Sequence, residues 1–422
     1  MMKMKKAMIP LIASVLVMSL LSGCGSKNDG ENQGAADGAK SGEIVEIQFF
    51  QNKPEAKDTF DKLVAKFNEA NPNIKVSQVN PPEAETVLKT LVAKNEVPDV
   101  IGMGATDTFA TLAKSGLFED FTNDPLSKSI QPSYLEMLKT QTGLSELNGI
   151  PFSTNASGVI YNKALFKELG VEIPKTYDEL IAIAQKAKDS GKNAFYFTLK
   201  DSWTTLVAFN SLEPAIVGID FFKERKAGTT TFKDHFREVA EKQLQLVSFG
   251  QKDVFGKGYN DGNTAFAKGE SVMYMQGVWA IPEIQKANPG IELGIFPFPA
   301  SNDASKNKLI SGIDTLLTIS KDTKHKEEAR KFVDFLLQQE NVKQYITEQK
   351  AFPAVQGVTQ DDATMAELKE SFETGNLVDF SDHYIPSGMK TDVIIQEFLG
   401  KKDVDAYLNT LDKEWDKFAE HK

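Results

Sequence analysis

The stretch Ile44-Val45-Glu46-Ile47-Gln48-Phe49-Phe50 decides the fold, because it opens an alternation of strands and helices. The run is short, apolar and rich in β-branched and aromatic residues, as a buried strand is. From about Pro54 to Glu69 the apolar positions switch to helical spacing at Phe60, Leu63, Val64 and Phe67, and Asn71-Pro72 ends the pattern. A second strand over Ile74–Val79, a second helix over Thr86–Lys94 and a third strand entered at Pro98-Asp99-Val100-Ile101 continue the alternation. Strands separated by helices predict a parallel sheet with right-handed crossovers.

The rhythm resumes further along. Val159-Ile160-Tyr161 reads as a strand, Lys163–Leu169 as a helix stopped by Gly170, and Thr176-Tyr177-Asp178-Glu179 as a capping box opening another helix. Phe195-Tyr196-Phe197, Val272–Met275 and Leu316–Ile319 read as further strands, the last leading to a helix over Lys326–Gln338, and the chain end is helical. The predicted class is α/β, in at least two sheets. About 380 residues beyond the N-terminal segments exceed one core of ordinary size, so two domains are expected.

Open parallel sheets bind ligands just past the carboxyl ends of their strands. Gln51, Asn52 and Lys53 occupy the first exit; Gly102, Met103, Gly104 and then Asp107 the next. Asp201, Ser202 and Trp203 come after the Phe195 strand, and Gln276, Gly277 and Trp279 after the Val272 strand. Amides and carboxylates exchange hydrogen bonds with hydroxyls, while an indole covers the apolar C–H face of a pyranose. The mixture suits a sugar. Trp415 differs, since it shares a helical stripe with Tyr407, Leu411 and Phe418 and reads as core.

The N-terminus reads as a removable leader. Lys3, Lys5 and Lys6 precede an apolar run from Ile9 to Leu21 of about 13 residues, where a span needs roughly 20, and Leu21-Ser22-Gly23-Cys24 comes next. Residues 1–23 are therefore a signal peptide, and residues 24–42, without aromatic or β-branched residues, a disordered tether. A secreted protein with a free thiol is the alternative reading of Cys24. Removing the leader takes the formal charge from −11 to −14, and so acidic a body argues against nucleic acid and anionic lipid surfaces.

Several chemistries are absent from the pattern. Cys24 is the only cysteine, so no disulfide, thiolate nucleophile or cysteine metal site is available in the body. His235, His325, His383 and His421 sit among polar neighbours and read as surface residues. Gly256-Lys257-Gly258-Tyr259-Asn260-Asp261-Gly262 misses the dinucleotide spacing and reads as a loop before a helix. No cofactor or metal is expected. A glycoside hydrolase would need two carboxylates about 5–10 Å apart in one cleft, for which Asp107 and Asp201 are the conceivable pair, though they are expected on opposite lobes.

Five stretches carry a resemblance. They are Pro98-Asp99-Val100-Ile101 with Ala113-Lys114-Ser115-Gly116-Leu117; Leu147-Asn148-Gly149-Ile150-Pro151; Ile160-Tyr161-Asn162-Lys163 with Pro174-Lys175-Thr176-Tyr177; Phe266–Met273 running into Gly277-Val278-Trp279; and Ser311-Gly312-Ile313-Asp314. In this order the chain resembles the family 1 extracellular solute-binding proteins of ABC transporters, and Leu-Ser-Gly-Cys24 resembles the lipobox of bacterial lipoproteins. The resemblance implies two hinge-connected lobes of the type II periplasmic-binding-protein kind, 43–154 plus 311–355 and 155–310 plus 356–422. It places ligand contacts at Asn52, Lys53, Asp107, Asn155, Asp201, Trp203 and Trp279, with Asp314 beside a hinge crossing. It further implies a monomer without enzymatic activity, held by lipid on Cys24 at the outer face of a single-membrane cell. Such a protein delivers a carbohydrate to permease subunits. Gly102-Met103-Gly104 and Asn155 depart from the maltose-binding member, which has an aromatic and a carboxylate there, so a different mono- or oligosaccharide is implied. A polyamine, anion or peptide binder is the rival within this reading.

Overall fold

The computed structural model describes residues 44–218 and 220–419; the leader, Cys24 and the tether lie outside the described residues. Its strands are β1 (Val45–Gln51), β2 (Ile74–Val79), β3 (Val100–Met103), β4 (Ile150–Thr154), β5 (Ser157–Asn162) and β6 (Asn193–Phe195). They continue with β7 (Ser271–Gly277), β8 (Leu293–Phe296), β9 (Leu309–Ile310), β10 (Ile313–Ile319), β11 (Phe352–Pro353) and β12 (Leu377–Val378). Two sheets result, ordered β11-β4-β10-β3-β1-β2 and β12-β9-β5-β7-β6, with β8 also paired to β5.

In the first sheet β1 runs parallel to β2 and β3, as the alternation predicts. β10 instead runs antiparallel to both β3 and β4. It enters from the other sheet without a helical crossover, so nothing forces it parallel. The second sheet departs further, because β5 is antiparallel to β7, β8 and β9 and only the outer pairs β6–β7 and β9–β12 are parallel. β6 also ends at Phe195, short of the predicted Phe197. The Gln251 side chain captures the Phe197 N–H (2.9 Å) and its carbonyl (2.5 Å), taking the groups a neighbouring strand would need.

Helices cover both sheets. α1 (Lys57–Ala70) comes after a 3₁₀ turn at Pro54–Ala56 and buries Phe60, Leu63, Val64 and Phe67, the stripe legible in the sequence. Phe60 and Phe67 meet Phe49, Phe332 and Tyr345 edge-on or tilted, at ring separations of 5.0–5.1 Å. α2 (Ala84–Ala93), α3 (Asp107–Lys114) and α4 (Pro132–Thr142) complete this half. α5 (Lys163–Leu169) starts at an Asn162 cap and ends at Gly170, whose φ of +58° only glycine adopts without strain. α6 (Tyr177–Asp189) carries the Thr176–Glu179 capping box, and α7 (Thr205–Ile216) lies beneath β7.

The core on the first sheet draws on residues between Ile47 and Phe152 and between Ile313 and Val355. The second sheet is buried by residues between Ala156 and Leu309 and between Phe352 and Trp415. The chain passes from the first sheet to the second between β4 and β5, back between β9 and β10, and to the second once more between β11 and β12; the first two crossings lie together. These crossings are tied side by side: the Asn155 N–H donates to the Gly312 carbonyl (3.2 Å) and the Ser311 hydroxyl to the Asn155 carbonyl (2.7 Å).

Just past the crossing, a Cβ on Gly158 would lie 2.5 Å from the Phe296 carbonyl oxygen, and backbone cannot yield as a side chain can. Gly158→Ala is expected to destabilise the protein by about 1–3 kcal/mol, the usual penalty of overpacking. Urea unfolding should show a lower midpoint at unchanged slope. A wild-type midpoint would mean β5 and β8 do not approach this closely.

Candidate functional site

β1 ends at Gln51, whose side chain is anchored by Gln78 (Nε2 to Oε1, 2.8 Å) and accepts the Lys53 N–H (2.6 Å). This turn aims Lys53 across the carboxyl end of the sheet. There its Nζ meets Asp314 Oδ1 at 2.5 Å and Glu55 at 3.5 Å. Burial works against the lysine charge, but the two carboxylates outweigh it and hold its pKa above the ordinary lysine value. Asp314 lies one residue into β10, so the crossing strand itself presents the counter-charge. Its Oδ1 also accepts from Asn155 Nδ2 (2.8 Å) and its Oδ2 from Ser153 Oγ (3.5 Å).

A narrow chamber forms over this network, lined by Lys53, Glu55, Asn155, Trp279, Asp314 and Tyr345. Trp279 reaches it from the second sheet: it lies just past β7, folds back over Gly277, and donates its indole N–H to Gln276 Oε1 (3.0 Å). The amide oxygens of Asn52 and Asn155 are buried without a hydrogen-bond partner. Tyr345 lies at the chamber floor, its phenol near Thr315 and held neutral by burial beside Asp314.

Tyr259 extends the wall, its hydroxyl donating to the Trp279 carbonyl at 3.5 Å and its ring meeting Trp203 edge-on at 5.1 Å. Trp203 is 40% exposed, unlike Trp415, which is buried against Phe222 and Phe232 as its stripe predicts. Asp201 Oδ2 accepts the Tyr259 N–H (2.7 Å), which starts the helix Tyr259–Ala267 in the segment whose glycines predict a loop before a helix. It positions the aromatic pair. Asp107 opens α3 and lines a wider part of the cleft with Gln141, Glu213, Asp379, His383 and Tyr384. The structure thus gathers Lys53, Asn155, Trp279 and Asp314 in one chamber, sets Trp203 and Asp201 at its rim, and puts Asp107 in the outer cleft.

His383 is the residue that sequence pattern misplaces. It is no surface histidine: its Nδ1 sits 3.0 Å from Asp379 Oδ1, and Tyr384 OH donates to Asp379 Oδ2 at 3.1 Å. Glu55, Tyr259 and Tyr345 also escape sequence reasoning, although Glu55 lies two residues past Lys53. Among the described residues no cluster of three or more histidines, cysteines or carboxylates gathers to hold a metal.

Residues 52–343 match the family described as bacterial extracellular solute-binding protein. The multiple sugar-binding protein of Streptococcus mutans is 30% identical over 340 residues, 78% of this chain and 80% of its own length. The melibiose/raffinose/stachyose-binding protein of Bacillus subtilis is 23% identical over 385 residues, 89% of this chain and 87% of its own. The solved structure of the solute-binding protein RafE in complex with raffinose superposes with a TM-score of 0.79 at 27% identity, over 89% of this chain and all of that one.

The His383 site sets a pH dependence. Burial disfavours its charge, but Asp379, with Asp382 and Glu85 further off, raises its pKa from 6.5 to about 9. The folded value exceeds the unfolded one, so the stabilisation is complete below about pH 6.5 and is lost as pH rises through about 9. It amounts to roughly 3 kcal/mol at most. In melts between pH 6 and 10, His383→Asn is expected to flatten this alkaline decline. An unaltered slope would place the titration elsewhere.

Proposed function

Since the chain belongs to the bacterial extracellular solute-binding protein family, we propose that it captures a carbohydrate between its two halves and passes it to the permease of an ABC importer. The family is a binding component of transport systems and not an enzyme. The observation that carries the sugar reading is the inner chamber, where an indole shares the wall with the unpartnered Asn155 amide oxygen and an ion pair already closed on itself. A polyamine would have to displace Lys53 from Asp314, and an anion would meet Asp314 and Glu55. A neutral, hydroxyl-rich ligand opposes neither. The names of the relatives, for multiple sugars, raffinose and stachyose, agree with that chemistry.

The lobes are taken as 43–154 with 311–355, and 155–310 with 356–422, hinged at the crossings. The division of the two cores supports these boundaries. Closure of one lobe on the other removes water from the polar contacts and brings Trp203 and Trp279 over the Lys53 side. Asn52, Lys53, Asn155, Asp201, Trp203, Trp279 and Asp314 are assigned as ligand contacts, with Asp107 contributing from the outer cleft. The protein acts as a monomer.

Attachment is assigned to a diacyl group on Cys24, whose two chains suffice for stable anchoring. Among the described residues no helix is long and apolar enough to cross a membrane. Cys24→Ser expressed in a Gram-positive host is expected to move the protein from the membrane fraction to the medium. Retention in the membrane fraction would refute the anchor.

Thermal melts of the body from residue 43 onward against a panel of raffinose, stachyose, maltose, spermidine and amino acids test the ligand class. A cognate sugar at about 100 times its dissociation constant should add about 2.7 kcal/mol of stability. Trp279→Ala and Trp203→Ala should each weaken it by about 1 kcal/mol or more, a fivefold loss. A response to spermidine alone would sink the carbohydrate reading, and intact sugar binding in both variants would sink the site.

A further inference from the structure

Two charged side chains from opposite halves flank the crossing at Gly312 and Ile313. On the side of the second half, the Ser311 N–H donates to the Val378 carbonyl (2.9 Å), which lays the segment after β12 against the crossing. A Cβ on Gly312 would lie 2.5 Å from Asp379 Oδ1 and 3.3 Å from His383 Cε1, so the His383–Asp379 pair rests on the crossing backbone. On the side of the first half, the Ala105 N–H donates to the Ile313 carbonyl (3.3 Å). Thr106, the next residue, caps α3, and its hydroxyl donates to Glu85 Oε1 (3.3 Å) while Thr108 donates to Glu85 Oε2 (2.6 Å). The Glu85 carboxylate is thereby fixed at the first turn of α3, and its charge acts on His383 through space.

The charges around His383 are mostly of one sign. Asp379 touches it, Asp382 lies beside it, and Tyr384 OH is bonded to Asp379, all on its own segment. Glu85 faces it from α2, and Glu213 reaches the segment from α7 by accepting the Ser381 hydroxyl (2.6 Å). Asp107, Lys114 and Lys308 line the same cleft. Burial opposes the His383 charge, yet Asp379, Asp382 and Glu85 raise its pKa to about 9. The charged imidazole offsets Asp379 and draws Glu85 toward it. The neutral imidazole leaves Asp379 and Glu85 repelling each other across the crossing.

The sense of the effect comes from the inner chamber. Trp279 from the second half and Lys53 from the first line one narrow space, so the halves stand close together while Glu85 is near His383. Attraction between the two therefore favours this arrangement over an open one.

We propose that Glu85 and His383 form a charge pair across the crossing that favours closure of the two halves, with His383 the positioning residue. This inference rests on closure at the crossings and not on the identity of the ligand. Closure weakens as pH rises through the His383 titration. A partly exposed pair of this kind shifts a two-state equilibrium by about two- to fivefold.

Cys24→Ser leaves the chain without a cysteine. Spin labels on that protein at Glu69→Cys in α1 and Lys186→Cys in α6, both exposed, then report the distance between the halves without ligand. The parent should lose about two- to fivefold in the ratio of short to long distances between pH 8 and 10, above the Glu213 titration that burial raises to about 7. At pH 8, Glu85→Gln and His383→Asn should each show that loss already, and neither should change further by pH 10. The double variant should match the single ones, because each change removes the same pair. Melts report folding, and if His383→Asn does not fold, Glu85→Gln decides. An equal pH response in the parent and Glu85→Gln, or losses that add in the double variant, overturns the pair. Closure driven by a sugar but indifferent to both variants overturns the pair and leaves the transport reading standing. A distance that ignores pH, the variants and every ligand of the panel overturns closure at the crossings as well.

Discussion

Two extended segments crossing side by side between the sheets govern the rest of the molecule. The Asn155 N–H bonded to the Gly312 carbonyl, and Ser311 bonded to the Asn155 carbonyl, make the crossings one unit. Each half buries its own core, so the halves are free to rotate only where few side chains cross between them. The same residues furnish the proposed site: Asn155 lies on one crossing and Asp314 two residues past Gly312 on the other. A rotation at the crossings therefore moves the counter-charge of Lys53 and the wall beside Trp279 together. Gly312 is small for a reason, since any side chain there would strike Asp379 and Phe380.

Lys53 and Asp314 illustrate why a pair of opposite charges suits a site for a neutral ligand. Removing both from water is costly, and their attraction offsets that cost only with additional hydrogen bonds. Asn155 and Ser153 supply those to Asp314, and Glu55 adds a second carboxylate near Lys53. What remains at the chamber surface is one lysine against two carboxylates, a single excess negative charge tied into directed ion pairs and hydrogen bonds. Such a surface discriminates by geometry more than by field, which is what separating one sugar from another demands.

Much of this is legible in the chain, and the remainder is hidden for physical reasons. The apolar runs and helical stripes place β1, α1, β2 and α5 to within a residue or two, because burial on one face imposes period. Sheet direction is not legible for β5, β7 and β10, since pairing between distant strands leaves no local period. Strand exits lead to Lys53 and Trp279 from pattern alone, whereas Asp314 and Asn155 come only through resemblance to a family. Asp201 reads in sequence as an acceptor for ligand; that its Oδ2 also holds the Tyr259 N–H, a partner 58 residues away, is not legible there. His383 carries a local signal, an aspartate four residues before it, yet its burial depends on packing beside the Gly312 crossing.

On the proposed carbohydrate reading, the unpartnered acceptors are the source of the cleft's selectivity. The side-chain oxygens of Asn155 in the inner chamber, of Gln141 and Glu213 in the outer cleft, and of Asn52 just past β1 are shielded from solvent with no donor beside them. Each unmet group costs about 1–3 kcal/mol, a cost the folded chain carries because its cores are large. A ligand hydroxyl removes the cost; an analogue lacking that hydroxyl leaves it in place. Discrimination thus comes from the penalty on the wrong ligand as much as from attraction to the right one.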